Sequence, residues 1–138
     1  IIPDLPHEEA LLYADVFGQN HLANISFVAP TDSEARIQEV VNASKEFIYM
    51  VAYTGITGSG ASEDLQPFIA SIKKYTQTPV YVGFGVNPKT AKEKVKGADG
   101  VIVGSTFIDI LLRENTSYGE KIKQCVETAK IIKSEINT

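Results

Sequence analysis

Two glycine-bearing stretches have residue types and spacing suited to chemistry: Gly83-Phe84-Gly85 and Gly104-Ser105. Each follows a short apolar run, Val80-Tyr81-Val82 before the first and Val101-Ile102-Val103 before the second. Each also opens a stretch that reads as a helix. Glycine lets a backbone come close to a ligand and adopt positive φ. Bare N–H groups at a helix start, with the positive end of the helix dipole behind them, attract anions. Taken singly, these are ordinary turn glycines. Taken together, each after a β-run and before a helix, they point to a phosphate.

The elements that must position these glycines repeat as strand then helix. Ile1-Ile2 reads as a strand end and Pro3-Asp4-Leu5-Pro6 as a turn. A helix follows, with Glu8 and Glu9 in its first turn, an inner stripe of Leu11, Ala14 and Phe17, and a stop at Gly18. Asn24 to Val28 is the next strand. Thr31 and Glu34 have capping-box spacing for the helix through Ile37, Val40 and Val41. Phe47 to Val51 is a continuous apolar run, as expected of a parallel strand buried on both faces. The long segment from Ala52 to Glu63 holds Gly55, Gly58 and Gly60 and reads as a lid or binding loop. Ser62 caps the next helix, whose inner face is Leu65, Phe68, Ile69 and Ile72. Strand 79–82 leads into the first glycine pair, and Asn87-Pro88 starts a short helix with four lysines on a solvated face. Strand 101–103 leads into Gly104-Ser105 and a helix over 106–113. A final helix carries Ile122, Cys125, Ala129, Ile132 and Ile136 at helical spacing, which places Cys125 in the core.

This repeat of about 20 to 28 residues, with no hairpin signal, means parallel strands joined by helical crossovers. It fits a little over half of a (β/α)8 barrel or an open doubly wound sheet. Phosphate in (β/α)8 barrels commonly sits on the loops after strands seven and eight, which favours the barrel. The 138 residues make one domain or less, and the expected architecture is the C-terminal portion of a (β/α)8 TIM barrel, with residues 1–138 as a single unit. Because the chain opens inside what reads as a strand, its N-terminal half is expected to lie in a longer polypeptide. A net charge of −4 provides no basic face for nucleic acid. No apolar run approaches the ~20 residues of a membrane span. The single cysteine rules out an intrachain disulfide and suits a reducing compartment.

In order and spacing, Pro3-Asp4-Leu5-Pro6-x-Glu8-Glu9, Tyr49, Gly55-Ile56-Thr57-Gly58, Gly83-Phe84-Gly85-Val86 and Gly104-Ser105 resemble the tryptophan synthase alpha chain family. The resemblance runs from the family's strand four to its C-terminus and covers essentially the whole chain. It implies a (β/α)8 lyase of the cytoplasm, or of the plastid in a plant. Such an enzyme cleaves indole-3-glycerol phosphate to indole and glyceraldehyde 3-phosphate. It uses no metal or organic cofactor of its own, and works with a beta chain that carries PLP and receives the indole. The resemblance further implies phosphate binding by backbone N–H groups at Gly58, Gly85, Gly104 and Ser105. It places Thr57 in a mobile loop where it helps to order the catalytic acid, and Tyr49 near the indole and the catalytic carboxylate. Phe27, Phe84 and Ile102 fall where the family lines its indole pocket. Tyr53 departs from the pattern, since the family often has a basic residue there.

The resemblance also implies what these residues lack. The carboxylic acid that protonates the indole ring, and the carboxylate that accepts the indole N–H, come in the family from strand two and the loop after it. Asp4 is the one acid here that reads as lying at a strand's C-terminal rim, and it belongs to strand four. These 138 residues alone are therefore expected to be inactive, and to be stable only with the other half of the barrel or as an oligomer. Other phosphate-binding barrels share the glycine-rich ends of strands seven and eight but not the Gly-Ile-Thr-Gly lid. A non-catalytic half-barrel that binds a phosphorylated metabolite is the remaining alternative.

Overall fold

The computed structural model describes residues 1–52 and 64–137. Four strands form one all-parallel sheet in sequential order: β1 (Ser26–Val28), β2 (Ile48–Val51), β3 (Val80–Gly83) and β4 (Gly100–Val101). The helices are α1 (His7–Leu12), α2 (Ala14–Gln19), α3 (Glu34–Ala43), α4 (Gln66–Lys73), α5 (Ala91–Lys94), α6 (Ser105–Leu111) and α7 (Tyr118–Ile136).

Side chains alternate across a strand, and this sheet uses the alternation to separate two jobs. Val28, Ile48, Met50, Val80 and Val82 point to one face and are almost fully buried. They pack against Ile37, Val40 and Val41 of α3 and Leu65, Ile69 and Ile72 at α4. Val101 of β4 lies on that same face, in register with Val82, and meets Ala91 of α5 and Ile132 of α7. The sheet-packing helices thus cover one side of a sheet whose strand order never reverses. That is the (β/α)8 pattern, and it excludes the doubly wound alternative, which needs helices on both faces. The opposite face carries the half-buried Phe27, Tyr49 and Tyr81 in one register row. The apolar run at 47–51 is therefore fully buried on one face and only half-buried on the other, rather than buried on both.

Three local expectations shift. Ile1 and Ile2 are exposed and form no strand, and the Leu5 N–H closes a turn on the Ile2 carbonyl at 3.2 Å. The expected helix from His7 to Gly18 is two short helices parted at Tyr13. Its apolar residues spread over Leu11, Leu12, Tyr13, Val16 and Phe17, so they supply no single stripe to hold a straight rod. Ala10 is the buried residue there, while Leu11 is 54% exposed. Helix α3 is capped by Ser33, whose Oγ accepts from the Arg36 N–H at 3.3 Å, not by Thr31. The cause lies just upstream. Asp32 Oδ2 accepts from the Ala29 N–H at 2.7 Å and fixes a turn over 29–32, which moves the helix start two residues on.

Helix α4 buries the expected Leu65, Ile69 and Ile72, with Phe68 packed beside them. Asn87 caps a turn ahead of α5, accepting from the Lys89 N–H at 2.8 Å and the Thr90 N–H at 3.2 Å. On α7, Ile132 is buried and Cys125 is half-buried, while Ile122 is 48% exposed. Ser62, Tyr53 and the lid glycines lie outside the described residues. No described helix is long and apolar enough to cross a membrane.

Candidate active site at the C-terminal rim of the sheet

Parallel pairing brings three of the sequence-predicted aromatic residues together. Phe27 and Tyr49 are register partners on β1 and β2, and their ring centroids lie 5.0 Å apart at a tilt of 31°. Tyr49 also meets Phe84 edge-on, with centroids 6.3 Å apart. Both spacings fall in the range where aromatic pairs attract. The half-buried Ile102 continues the ladder past β4, its N–H donating to the Val82 carbonyl at 2.8 Å. Burial pushes the Tyr49 phenol above its ordinary pKa, so it is a neutral hydroxyl at physiological pH.

Gly83 makes room for this arrangement. A Cβ built there would lie 2.1 Å from the Tyr49 Oη. The tyrosine ring therefore occupies the volume that any side chain at 83 would need. The sequence marked Gly83 as part of a glycine pair, but not as the seat of Tyr49. Only the diagonal relation of β2 to β3 reveals that role.

The next two residues turn sharply. Phe84 has φ +73° and Gly85 has φ +65°. The left-handed region is costly for a bulky side chain, and strain of this kind concentrates at functional sites. Phe84 is 59% exposed, so no packing gain from burial offsets the cost. Gly85 is held in turn by Thr90, whose Oγ1 donates to the Gly85 carbonyl at 2.7 Å and accepts from the Asn87 N–H at 3.0 Å.

Gly104 and Ser105 are exposed at the start of α6. The Gly104 carbonyl accepts from the Phe107 and Ile108 N–H groups at 2.9 and 3.2 Å. A Cβ at 104 would meet no described atom within 4 Å, so the space in front of this backbone is open. A cleft of about 370 Å³ runs from Gly85 and Asn87 of the first loop along α6, past Ser105, Thr106, Asp109 and Arg113. The Thr106 hydroxyl bridges the loops, donating to the Val86 carbonyl at 2.8 Å. Its place directly after Gly104-Ser105 is the only sequence signal it gave.

Tyr49, Phe27, Phe84, Ile102, Gly85, Gly104 and Ser105 are thus placed at or beside one rim. Thr57 and Gly58 lie outside the described residues. No cluster of three or more His, Cys, Asp or Glu set to hold a metal ion occurs among the described residues.

Comparison with known proteins gives one answer. The family model described as tryptophan synthase alpha chain matches residues 1–137. A tryptophan synthase alpha chain of Wolinella succinogenes is 46% identical, the match covering 100% of this chain and 54% of the relative. One of Cyanidium caldarium is 40% identical over 83% of this chain and 49% of its own length. Among solved structures, the tryptophan synthase alpha subunit of Campylobacter jejuni superposes with a TM-score of 0.74 at 31% identity, covering 98% of this chain and 50% of that one. A Mycobacterium tuberculosis tryptophan synthase gives 0.77 at 26% identity over 99% of this chain and 50% of that one. The chain spans about half the length of the relatives it matches.

Proposed function

The chain belongs to the tryptophan synthase alpha chain family, and we propose that it supplies the phosphate site, the lid loop and part of the indole pocket for cleavage of indole-3-glycerol phosphate to indole and glyceraldehyde 3-phosphate. The family is one of lyases in tryptophan biosynthesis. The observation that carries the finer reading is the continuity of an aromatic row with two open glycine loops. Phe27 packs on Tyr49, Tyr49 meets Phe84 edge-on, and Phe84 leads directly into Gly85.

Each residue has a role in this reading. The indole ring lies against Phe27, Phe84 and Ile102. The phosphate accepts hydrogen bonds from the backbone N–H groups of Gly85, Gly104 and Ser105, and of Gly58 from the lid. The Ser105 hydroxyl adds a bond. Tyr49 presents a neutral hydroxyl beside the reacting ring, where it can hold a catalytic carboxylate in place. Thr57 does the same from the lid. In the retro-aldol step a carboxylic acid protonates the indole ring carbon that carries the side chain. A second carboxylate accepts a hydrogen bond from the indole N–H and stabilises the positive charge this places on the ring. The carbon–carbon bond then breaks with its electron pair returning to the ring, and the hydroxyl on the departing carbon gives its proton to a carboxylate and becomes the aldehyde. No acid among the described residues stands in the aromatic row, and in this reading both carboxylates come from outside these 138 residues. The 138-residue chain by itself binds but does not turn over. It needs no cofactor, and the indole passes to a beta chain that carries PLP. Localisation follows that of the pathway, in the cytoplasm or a plant plastid.

The site reading is tested by Ser105→Asp in the longest native polypeptide that carries these residues. A carboxylate beside a phosphate repels it, by about 1 to 3 kcal/mol at an exposed position. KM for indole-3-glycerol phosphate should rise by roughly 10- to 100-fold with kcat much less affected, as for a lost ground-state contact. An unchanged KM would place the phosphate elsewhere.

A further inference from the structure

The two glycine loops are joined by a side-chain hydrogen bond. Thr106 is the second residue of α6, and its Oγ1 donates to the Val86 carbonyl, 20 residues away and 2.8 Å distant. Val86 is 3% exposed, so its carbonyl has little access to water as a replacement partner. On the same loop Thr90 fixes Gly85 through a bond of 2.7 Å to the Gly85 carbonyl and one of 3.0 Å from the Asn87 N–H. The β3–α5 loop is thus held from both sides, by Thr90 within it and by Thr106 across the gap. The cleft between the loops has Thr106 in its lining together with Gly85 and Ser105.

We propose that Thr106 is a positioning residue: its hydrogen bond to Val86 sets the separation of Gly85 from Gly104-Ser105 and so the fit of a phosphorylated ligand between them. This rests on the phosphate reading above and adds to it the side chain that sets the spacing of the two loops. The Thr106 hydroxyl is committed to Val86, so its effect falls on the spacing of the loops at the phosphate end, and binding in the aromatic row is left intact.

The test uses the longest native polypeptide with two probes, glycerol 3-phosphate for the loops and indole for the aromatic row. Thr106→Val keeps the shape and removes the donor, and Thr106→Ser keeps the donor. Thr106→Val should weaken glycerol 3-phosphate by about threefold to tenfold, the range of one net hydrogen bond. Indole affinity should stay within about twofold, and Thr106→Ser should restore the phosphate probe. For turnover, KM should rise more than kcat falls. Equal binding of glycerol 3-phosphate by wild type and Thr106→Val overturns the proposal alone. So does a proportional loss of both probes, which marks a lowered folded fraction. A wild-type protein that binds indole but not glycerol 3-phosphate overturns the phosphate reading and this proposal with it.

Discussion

At the N-terminal ends of the strands, polar groups meet their partners. Asp99 Oδ2 accepts from the Val80 N–H at 2.8 Å, and its Oδ1 pairs with Lys73 Nζ at 3.0 Å. The Thr78 hydroxyl donates to the Ser44 carbonyl at 3.2 Å, and the buried Ser44 hydroxyl donates to Val40 at 2.8 Å. At the C-terminal ends of the same sheet, Phe84 is held at positive φ and exposed, Tyr49 occupies the space a Gly83 side chain would need, and the backbone at Gly104 faces open space. One end is satisfied and the other is strained and open. In (β/α)8 folds, the C-terminal end of the strands carries chemistry and the N-terminal end carries stability. Substitutions at the two ends should therefore separate activity from folding.

The largest effect is expected from Gly83→Ala at the open end. The new Cβ must displace the Tyr49 ring, and a shift of about 1 Å in a positioning group can cost on the order of a hundredfold in kcat/KM. Because the Tyr49 hydroxyl is at the free end of a side chain, the melting temperature should fall far less than activity does. A variant that keeps its kcat/KM would separate Tyr49 from catalysis. Next comes Asp99→Ala at the satisfied end, which leaves the Val80 N–H without its carboxylate. Denaturant unfolding should show a loss of about 1 to 3 kcal/mol, with KM for the substrate unchanged. A rise in KM with unchanged stability would reverse the assignment of the two ends.

The smallest effect concerns Tyr49→Phe and alkaline pH. Burial raises the folded-state pKa of this phenol above its ordinary value of 10.0. Above pH 10 the unfolded chain loses the Tyr49 proton while the folded chain keeps it. Stability therefore falls as pH rises from 10 through the folded pKa, and is unaffected below 10. Tyr49→Phe should lose less stability over that alkaline interval than wild type, and the two pH–stability curves should run parallel at neutral pH. Parallel curves throughout would mean that Tyr49 titrates as in the unfolded chain.

The strand–helix order, the inner face of α4 and the placing of both glycine loops were legible because each rests on local signals: apolar runs, helical spacing, and glycine after a strand. Less legible were features set by contact across the sheet. That Gly83 seats Tyr49 depends on the register of β2 with β3, and that Thr106 reaches Val86 depends on how two loops approach. Neither leaves a periodic trace in sequence. The helix start at Ser33 was misplaced because Asp32 spends its carboxylate on a turn, so that the capping box at Thr31 never forms. The split at Tyr13 follows from an apolar pattern with no single stripe, which counting alone read as amphipathic.

In the proposed function these residues hold the phosphate and part of the indole pocket, while the proton donor and acceptor come from outside them. Indole release from indole-3-glycerol phosphate, measured for the longest native polypeptide and for the 138-residue chain side by side, tests it most directly. Release by the long form and none by the short one, even where the short one binds glycerol 3-phosphate, is the predicted result. Release by the 138-residue chain would contradict the claim, as would none from the long form when supplied with a beta chain.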